Sequence, residues 1–136
     1  MMISTKGRYA LRVMIDLAQN NTGQFISLKD VAERQDISMK YLEMIVAILN
    51  KGKLLESQRG KAGGYKLAKE TKEYTIGEIL NLTEGTLAPV NCIGKNGNKC
   101  DKADACMTLP LWQKLDSVIE DYLSSVTLQD LLDKKV

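Results

Sequence analysis

The chain has 136 residues, of which 44% are hydrophobic and 26% charged. It is long enough for one domain with a real core, or a small domain plus an arm that needs a partner, and too short for two independent domains. That balance excludes disorder and collagen-like repeats; no run approaches the roughly 18 apolar residues of a membrane span, and the N-terminus lacks a signal peptide's apolar stretch and cleavage site, so a cytoplasmic, membrane-free protein is expected. Net charge is +2 but uneven: residues 1–72 hold 13 Lys/Arg against 7 Asp/Glu, whereas residues 73–136 hold 6 against 10, which suits a polyanionic partner for the first half and another task for the second.

Ala10, Val13, Met14, Leu17 and Ala18 recur at helical spacing and predict a first helix, closed by Asn20, Asn21 and Gly23. Ser27 followed by Asp30 resembles a capping box and opens a short second helix with Leu28, Val31 and Ala32 inward. The segment QDIS reads as a tight turn, after which Ser38 caps a third helix that buries Leu42, Ile45, Val46 and Leu49. Gly52 stands where a left-handed helix cap is preferred.

Two short helices across a turn outline a helix-turn-helix. LLESQ and YKLAK then read as two strands joined by the basic, glycine-rich turn RGKAGG, so a hairpin follows the third helix. That order is a winged helix. Glycines allow the tip to approach a surface closely, and Arg59 and Lys61 place cations where phosphates or a narrow minor groove would lie.

Thr75 with Glu78 forms a further capping box and opens IGEILNLTEG, an amphipathic helix ending at Gly85. Residues 86–107 show no helical or strand period and are read as a loop. From residue 108, Leu111, Leu115, Val118 and Tyr122, with Ile119, Leu123 and Val126, form one broad apolar stripe over a long helix, and a last short helix opens at Thr127. The stripe either packs on the chain's own core or forms a self-complementary two-fold interface. The expected fold is mainly α with a small β-hairpin: a winged helix-turn-helix DNA-binding domain at 1–85, a cysteine-containing sensory loop at 86–107, and a dimerisation helix with a short C-terminal helix at 108–136. A dimer also fits the readers' geometry, since two recognition helices must sit roughly 34 Å apart to meet successive major grooves.

The absence of histidine removes the commonest general base, and no dinucleotide, Walker or HExxH motif is present, so an enzyme is not expected. All three cysteines, Cys92, Cys100 and Cys106, fall in the loop at a C-x7-C-x5-C spacing, which is not the CxxC knuckle of a zinc ribbon. Three readings stand open: ligands of a [2Fe–2S] cluster, a thiol redox switch, or incidental thiols. Lys95, Lys99 and Lys102 would offset thiolate or cluster charge under either of the first two.

STKGRYALRVMIDLA, ISMKYLEMIVAILNKGKLLES, RGKAGGYKLAK and TIGEILNLTEG resemble segments of the Rrf-two family of bacterial winged-helix regulators, most closely its cysteine-containing IscR-like members, with NsrR- and CymR-like members also similar. The resemblance covers nearly the whole chain, including the cysteines and the LPLW and VTLQDLL segments. It implies a homodimeric transcriptional regulator, read as a repressor, whose third helix enters the major groove of a DNA operator while the wing reaches the adjacent minor groove. Ser38, Lys40 and Tyr41 stand at the helix N-terminus, where amides and side-chain donors meet phosphates. Glu43 has the chemistry to accept from a cytosine amino group, or is a plain exposed carboxylate. Arg59 is the principal wing contact, and Lys6, Arg8 and Lys61 are phosphate contacts.

The resemblance also implies a cluster on the three cysteines, and here the sequence departs from the family's pattern. IscR-type members take a fourth ligand from a histidine at the position of Leu109, and NsrR-type members from an aspartate at that of Arg8. Neither carries over, which leaves Asp101, Asp104, Thr108, a partner's group or an exogenous ligand. The functions weighed are a regulator sensing cluster, redox or nitrosative status, a cluster-free regulator of cysteine metabolism or thiol switch, and an electron-transfer or cluster-carrier protein.

Overall fold

A computed structural model describes residues 3–93 and 102–136. In chain order it contains α1 (Thr5–Gln19), α2 (Leu28–Gln35), α3 (Met39–Lys51), β1 (Leu55–Gln58), β2 (Gly64–Leu67), α4 (Ile76–Glu84), α5 (Leu109–Ser125) and α6 (Leu128–Leu132), with single 3-10 turns at Thr71–Glu73 and Ala103–Ala105. The mainly helical fold with a two-stranded antiparallel hairpin is the one expected. None of its helices is long and apolar enough to cross a membrane, among the described residues.

Local chemistry starts most of the helices. The hydroxyls of Ser27, Ser38 and Thr75 accept from the amides of Asp30, Tyr41 and Glu78, satisfying donors that the first turn leaves unpaired. The reciprocal half of the Thr75 box does not form, because the Glu78 carboxylate takes Lys69 Nζ at 3.2 Å instead. The complete box lies at Thr127 and Asp130, which exchange both bonds at 3.0 Å. Ala10, Val13, Met14 and Leu17 of α1 meet Leu42, Ile45, Val46 and Leu49 of α3 in one core, closed by Ile76, Ile79 and Leu80 of α4.

Gly52 departs from its expected role. Its φ is −78°, and the left-handed residue is Lys53 at +63°. The glycine is needed for space: a Cβ there would lie 2.4 Å from a methyl of Leu82, so α4 packs directly over the end of α3.

The wing pairs Leu55 with Leu67 through to Gln58 with Gly64. It is pinned to the body by a bridge between Ile26 and Tyr65, with both N–H···O bonds at 2.9 Å. Gly64 makes that bridge possible. Its φ is +152°, and a Cβ would stand 2.0 Å from the Ile26 carbonyl oxygen.

The single stripe expected on α5 divides in two. Ile119 and Leu123 pack against the core, while Leu111, Leu115, Val118 and Tyr122 face outward. Beyond the helix the chain returns to the body, with Ile76 N donating to Val126 O at 2.9 Å and Leu128 N to Tyr74 O at 3.0 Å.

Gly64→Ala is expected to cost about 2–4 kcal/mol in denaturant unfolding, since a backbone oxygen cannot move aside. Gly52→Ala should cost only about 1 kcal/mol, because the obstructing Leu82 methyl can rotate. Equal losses would show that the wing bridge does not constrain residue 64.

Candidate nucleic-acid interface and cysteine loop

The turn between α2 and α3 is held from behind by α1. Asp16, almost fully buried, accepts from both Arg34 Nε (3.0 Å) and Arg34 Nη2 (2.8 Å) and from Gln35 Nε2 (2.9 Å). Arg12 completes the grip, donating to Gln35 O at 2.6 Å and Gln35 Oε1 at 3.1 Å, which places a cation at the carbonyl end of α2. The chain then turns through left-handed Asp36 and buried Ile37 to the Ser38 cap. The Arg12 guanidinium also lies 4.6 Å from the centre of the Tyr9 ring, and Tyr9 meets Tyr41 of α3 edge-on at 5.9 Å.

The expected DNA-contacting residues fall on three elements. Ser38 caps α3, its oxygen 3.2 Å from Tyr41 N. Lys40 and Glu43 are exposed on the first turns of that helix, whereas Tyr41 is half-buried against Tyr9. Arg59 and Lys61 are exposed at the wing tip, where Gly63 N donates to Gly60 O at 3.0 Å and closes the turn. Among the described residues, none of Lys40, Glu43, Arg59 and Lys61 is committed to an ion pair or side-chain hydrogen bond. Lys6 and Arg8 sit on α1, Lys6 half-buried and Arg8 exposed and bonded to Thr5 Oγ1 at 3.0 Å.

Sequence reasoning passed over Tyr9, Arg12 and Asp16. A signal for one existed: Asp16 stands between the core positions Val13, Met14 and Leu17, where an unpaired carboxylate would be costly and a partner is therefore required.

Cys92 and Cys106 are both half-buried free thiols, whereas Cys100, with Lys95, Lys99 and Asp101, lies outside the described residues. Cys106 follows the 3-10 turn Ala103–Ala105, and its Sγ is 3.3 Å from Thr108 Oγ1. The Thr108 hydroxyl, then the Thr108 and Leu109 amides, hold the Cys106 pKa below the usual thiol value. Thr108 is the residue at which α5 begins, yet its side chain makes no capping bond. Leu109 offers no donor atom and Arg8 only a cation, so neither supplies a ligand; Asp104 and Thr108 are the nearest oxygen donors in sequence to Cys106. Among the described residues, no three histidine, cysteine or carboxylate groups converge on a metal-sized site. The residues fit a thiolate-held group only in part: two thiols of the right softness, with the third outside the described residues.

The outward face of α5 carries a row of exposed apolar side chains. Leu111, Leu115, Val118 and Tyr122 are 59%, 39%, 50% and 54% exposed. Tyr122 also borders a groove of about 390 Å³ whose walls include Ile3, Leu11, Leu80 and Val136.

A family model described as an iron-dependent transcriptional regulator, Rrf2, matches residues 3–134. The HTH-type transcriptional regulator IscR of Escherichia coli is 36% identical over 135 residues, covering 99% of this chain and 82% of that protein. Among solved structures, CymR (YrzC), the global cysteine regulator of B. subtilis, aligns with a TM-score of 0.79 at 35% identity over 98% of both chains. T. potens IscR aligns with a TM-score of 0.77 at 38% identity over all of this chain and 89% of that one. With sequence and fold in agreement along its whole length, the chain belongs to the Rrf2 family of transcriptional regulators.

Proposed function

We propose that this regulator is a homodimeric repressor whose hold on a double-stranded DNA operator follows iron–sulfur, redox or nitrosative status, sensed through Cys92, Cys100 and Cys106. The observation that carries DNA reading is the set of uncommitted exposed cations on consecutive elements, Lys40 on α3 and Arg59 and Lys61 on the wing. Cations with no internal partner are free to replace the counterions of a phosphate backbone. Ser38 and Tyr41 complete the helix N-terminus, Glu43 offers an acceptor to base edges, and Lys6 and Arg8 add phosphate contacts from α1.

Dimerisation rests on the outward stripe of α5, which as an apolar row on a free chain would be a liability. Cys92, Cys100 and Cys106 would hold a [2Fe–2S] cluster, completed by an oxygen donor such as Asp104, Thr108 or Asp101 or by a group from elsewhere. When bound, such a cluster supplies a one-electron, oxidant-labile centre at the start of the dimer helix.

A second reading has its own support. The hydrogen bond from Thr108 lowers the Cys106 pKa, and neither Leu109 nor Arg8 can ligate, which favours a cluster-free regulator responding through its thiols, as in the reading of a cysteine-metabolism regulator.

Arg59→Ala should weaken operator binding on the order of tenfold or more in a salt-titrated shift assay, and lower the salt slope by about one, without changing the dimer. Unchanged affinity would remove the wing from the interface. Val118→Asp with Tyr122→Asp should give monomers by sedimentation and lose operator affinity in parallel; a persistent dimer would place the interface elsewhere. Anaerobic purification should give coloured protein with iron and acid-labile sulfide, both lost when any of the three cysteines becomes alanine. If the protein is instead colourless and iron-free, the thiol reading predicts that Cys106 alkylates with a midpoint below that of an ordinary thiol and that Thr108→Val raises this midpoint.

A further inference from the structure

The outer face of α3 carries two apolar side chains that the contacts above leave unused. Lys40, Met44, Ala47 and Lys51 recur three or four residues apart, with Glu43 beside Met44, and all five are exposed, so they form one face opposite the buried Leu42, Ile45 and Leu49. Met44 is 44% exposed at the middle of this face, although the core is complete without it. Lysines bracket the face at either end and a carboxylate adjoins Met44, an arrangement that suits a groove with phosphates at its rims and base edges at its floor. The resemblance of apolar and polar groups to a base-edge pattern is specific: Met44 and Ala47 have no hydrogen-bond donor to offer, and the one base-edge group that an apolar side chain recognises in the major groove is the C5-methyl of thymine. An unbranched thioether chain with three rotatable bonds has the reach and adaptability to cover such a methyl, while the small Ala47 leaves room for the groove floor to approach.

We propose that Met44, flanked by Ala47, is a specificity-determining residue that selects a T·A pair in each half-site through its thymine methyl, beside the position faced by Glu43. The inference deepens the DNA-reading proposal and rests on it.

The test begins with selection of bound duplexes from a random library by the full-length protein, followed by resynthesis of the enriched site with each thymine replaced in turn by deoxyuridine. That replacement deletes the methyl and nothing else. The wild-type protein should lose about fourfold in affinity at one thymine per half-site, the equivalent of one methyl group returned to water. Met44→Ala and the length-conserving Met44→Gln should bind the thymine and uracil forms of that position equally, while Arg59-dependent salt sensitivity is retained. Wild-type indifference to every uracil replacement would overturn the inference, as would an undiminished methyl effect in both variants, and either result would leave DNA reading intact. Failure of the wild-type protein to enrich any sequence would overturn DNA reading itself, and this inference with it.

Discussion

One buried phenol holds together the parts of this molecule that are far apart in sequence. The Tyr74 hydroxyl donates to Leu54 O at 2.6 Å and accepts from the amides of Ala68 and Lys69 at 2.9 and 3.0 Å, so every bonding direction of that oxygen is used inside the core. Burial raises its pKa above the usual tyrosine value, with the two amides opposing, and the group remains the neutral donor this arrangement requires. Leu54 leads into β1 and Ala68 leads out of β2, so the phenol closes the base of the wing. The backbone oxygen of the same residue accepts from Leu128, which fixes the returning C-terminal segment to the same point. The wing and the segment that follows α5 are therefore anchored to a single residue.

A second constraint sets the position of α3. Asp16 is out of water yet saturated by three donors, one pair of them from a partly exposed Arg34, and removing those donors would leave an uncompensated buried carboxylate. All three donors come from the last turn of α2, immediately before the backbone reverses at Asp36. The carboxylate thus fixes where the turn begins, and Tyr9 against Tyr41 fixes where α3 goes afterwards. Arg12 serves both, bonded to the end of α2 and stacked on Tyr9. The proposed presentation of the outer face of α3 to a rigid duplex would gain from this bracing, because a small error in the helix angle moves every side chain on that face.

What was legible in the sequence was local. Ser27, Ser38 and Thr75 announce helix starts because a cap and its amide are three residues apart, and the hairpin announces itself because RGKAGG admits few conformations other than a turn. The contacts that escaped are those whose partners lie far off in the chain. Gly52 looks like a cap until Leu82 is seen above it, Glu78 looks like half a capping box until Lys69 takes its carboxylate, and Tyr74 in a short polar link gives no hint of Leu54 or Leu128. The six apolar positions of α5, with Val126 just after it, likewise read as one stripe, because periodicity reports which residues avoid water and not what covers each of them. The cysteines were visible as a cluster of soft ligands, but the pairing of Cys106 with Thr108 depends on how the loop enters the helix.

That entry joins the two ends of the proposed mechanism. Thr108 occupies the position from which a threonine normally caps its own helix, yet its hydroxyl is turned to the Cys106 sulfur and α5 starts with no side-chain cap. Pro110, in the first turn, has no amide hydrogen to satisfy, so the helix tolerates this arrangement better than most would. Leu111, three residues after Thr108, opens the outward apolar row that runs through Leu115 and Val118 to Tyr122, and just beyond the other end of the same helix Leu128 is tied back to Tyr74 beneath the wing. The Cys106 sulfur therefore sits at the start of the helix that carries the proposed interface, and just beyond that helix Leu128 is bonded to Tyr74, the residue that closes the base of the wing. In the proposed mechanism a signal at the loop would pass along one helix and the short segment after it, which backbone hydrogen bonds at Val126 and Leu128 tie to the body.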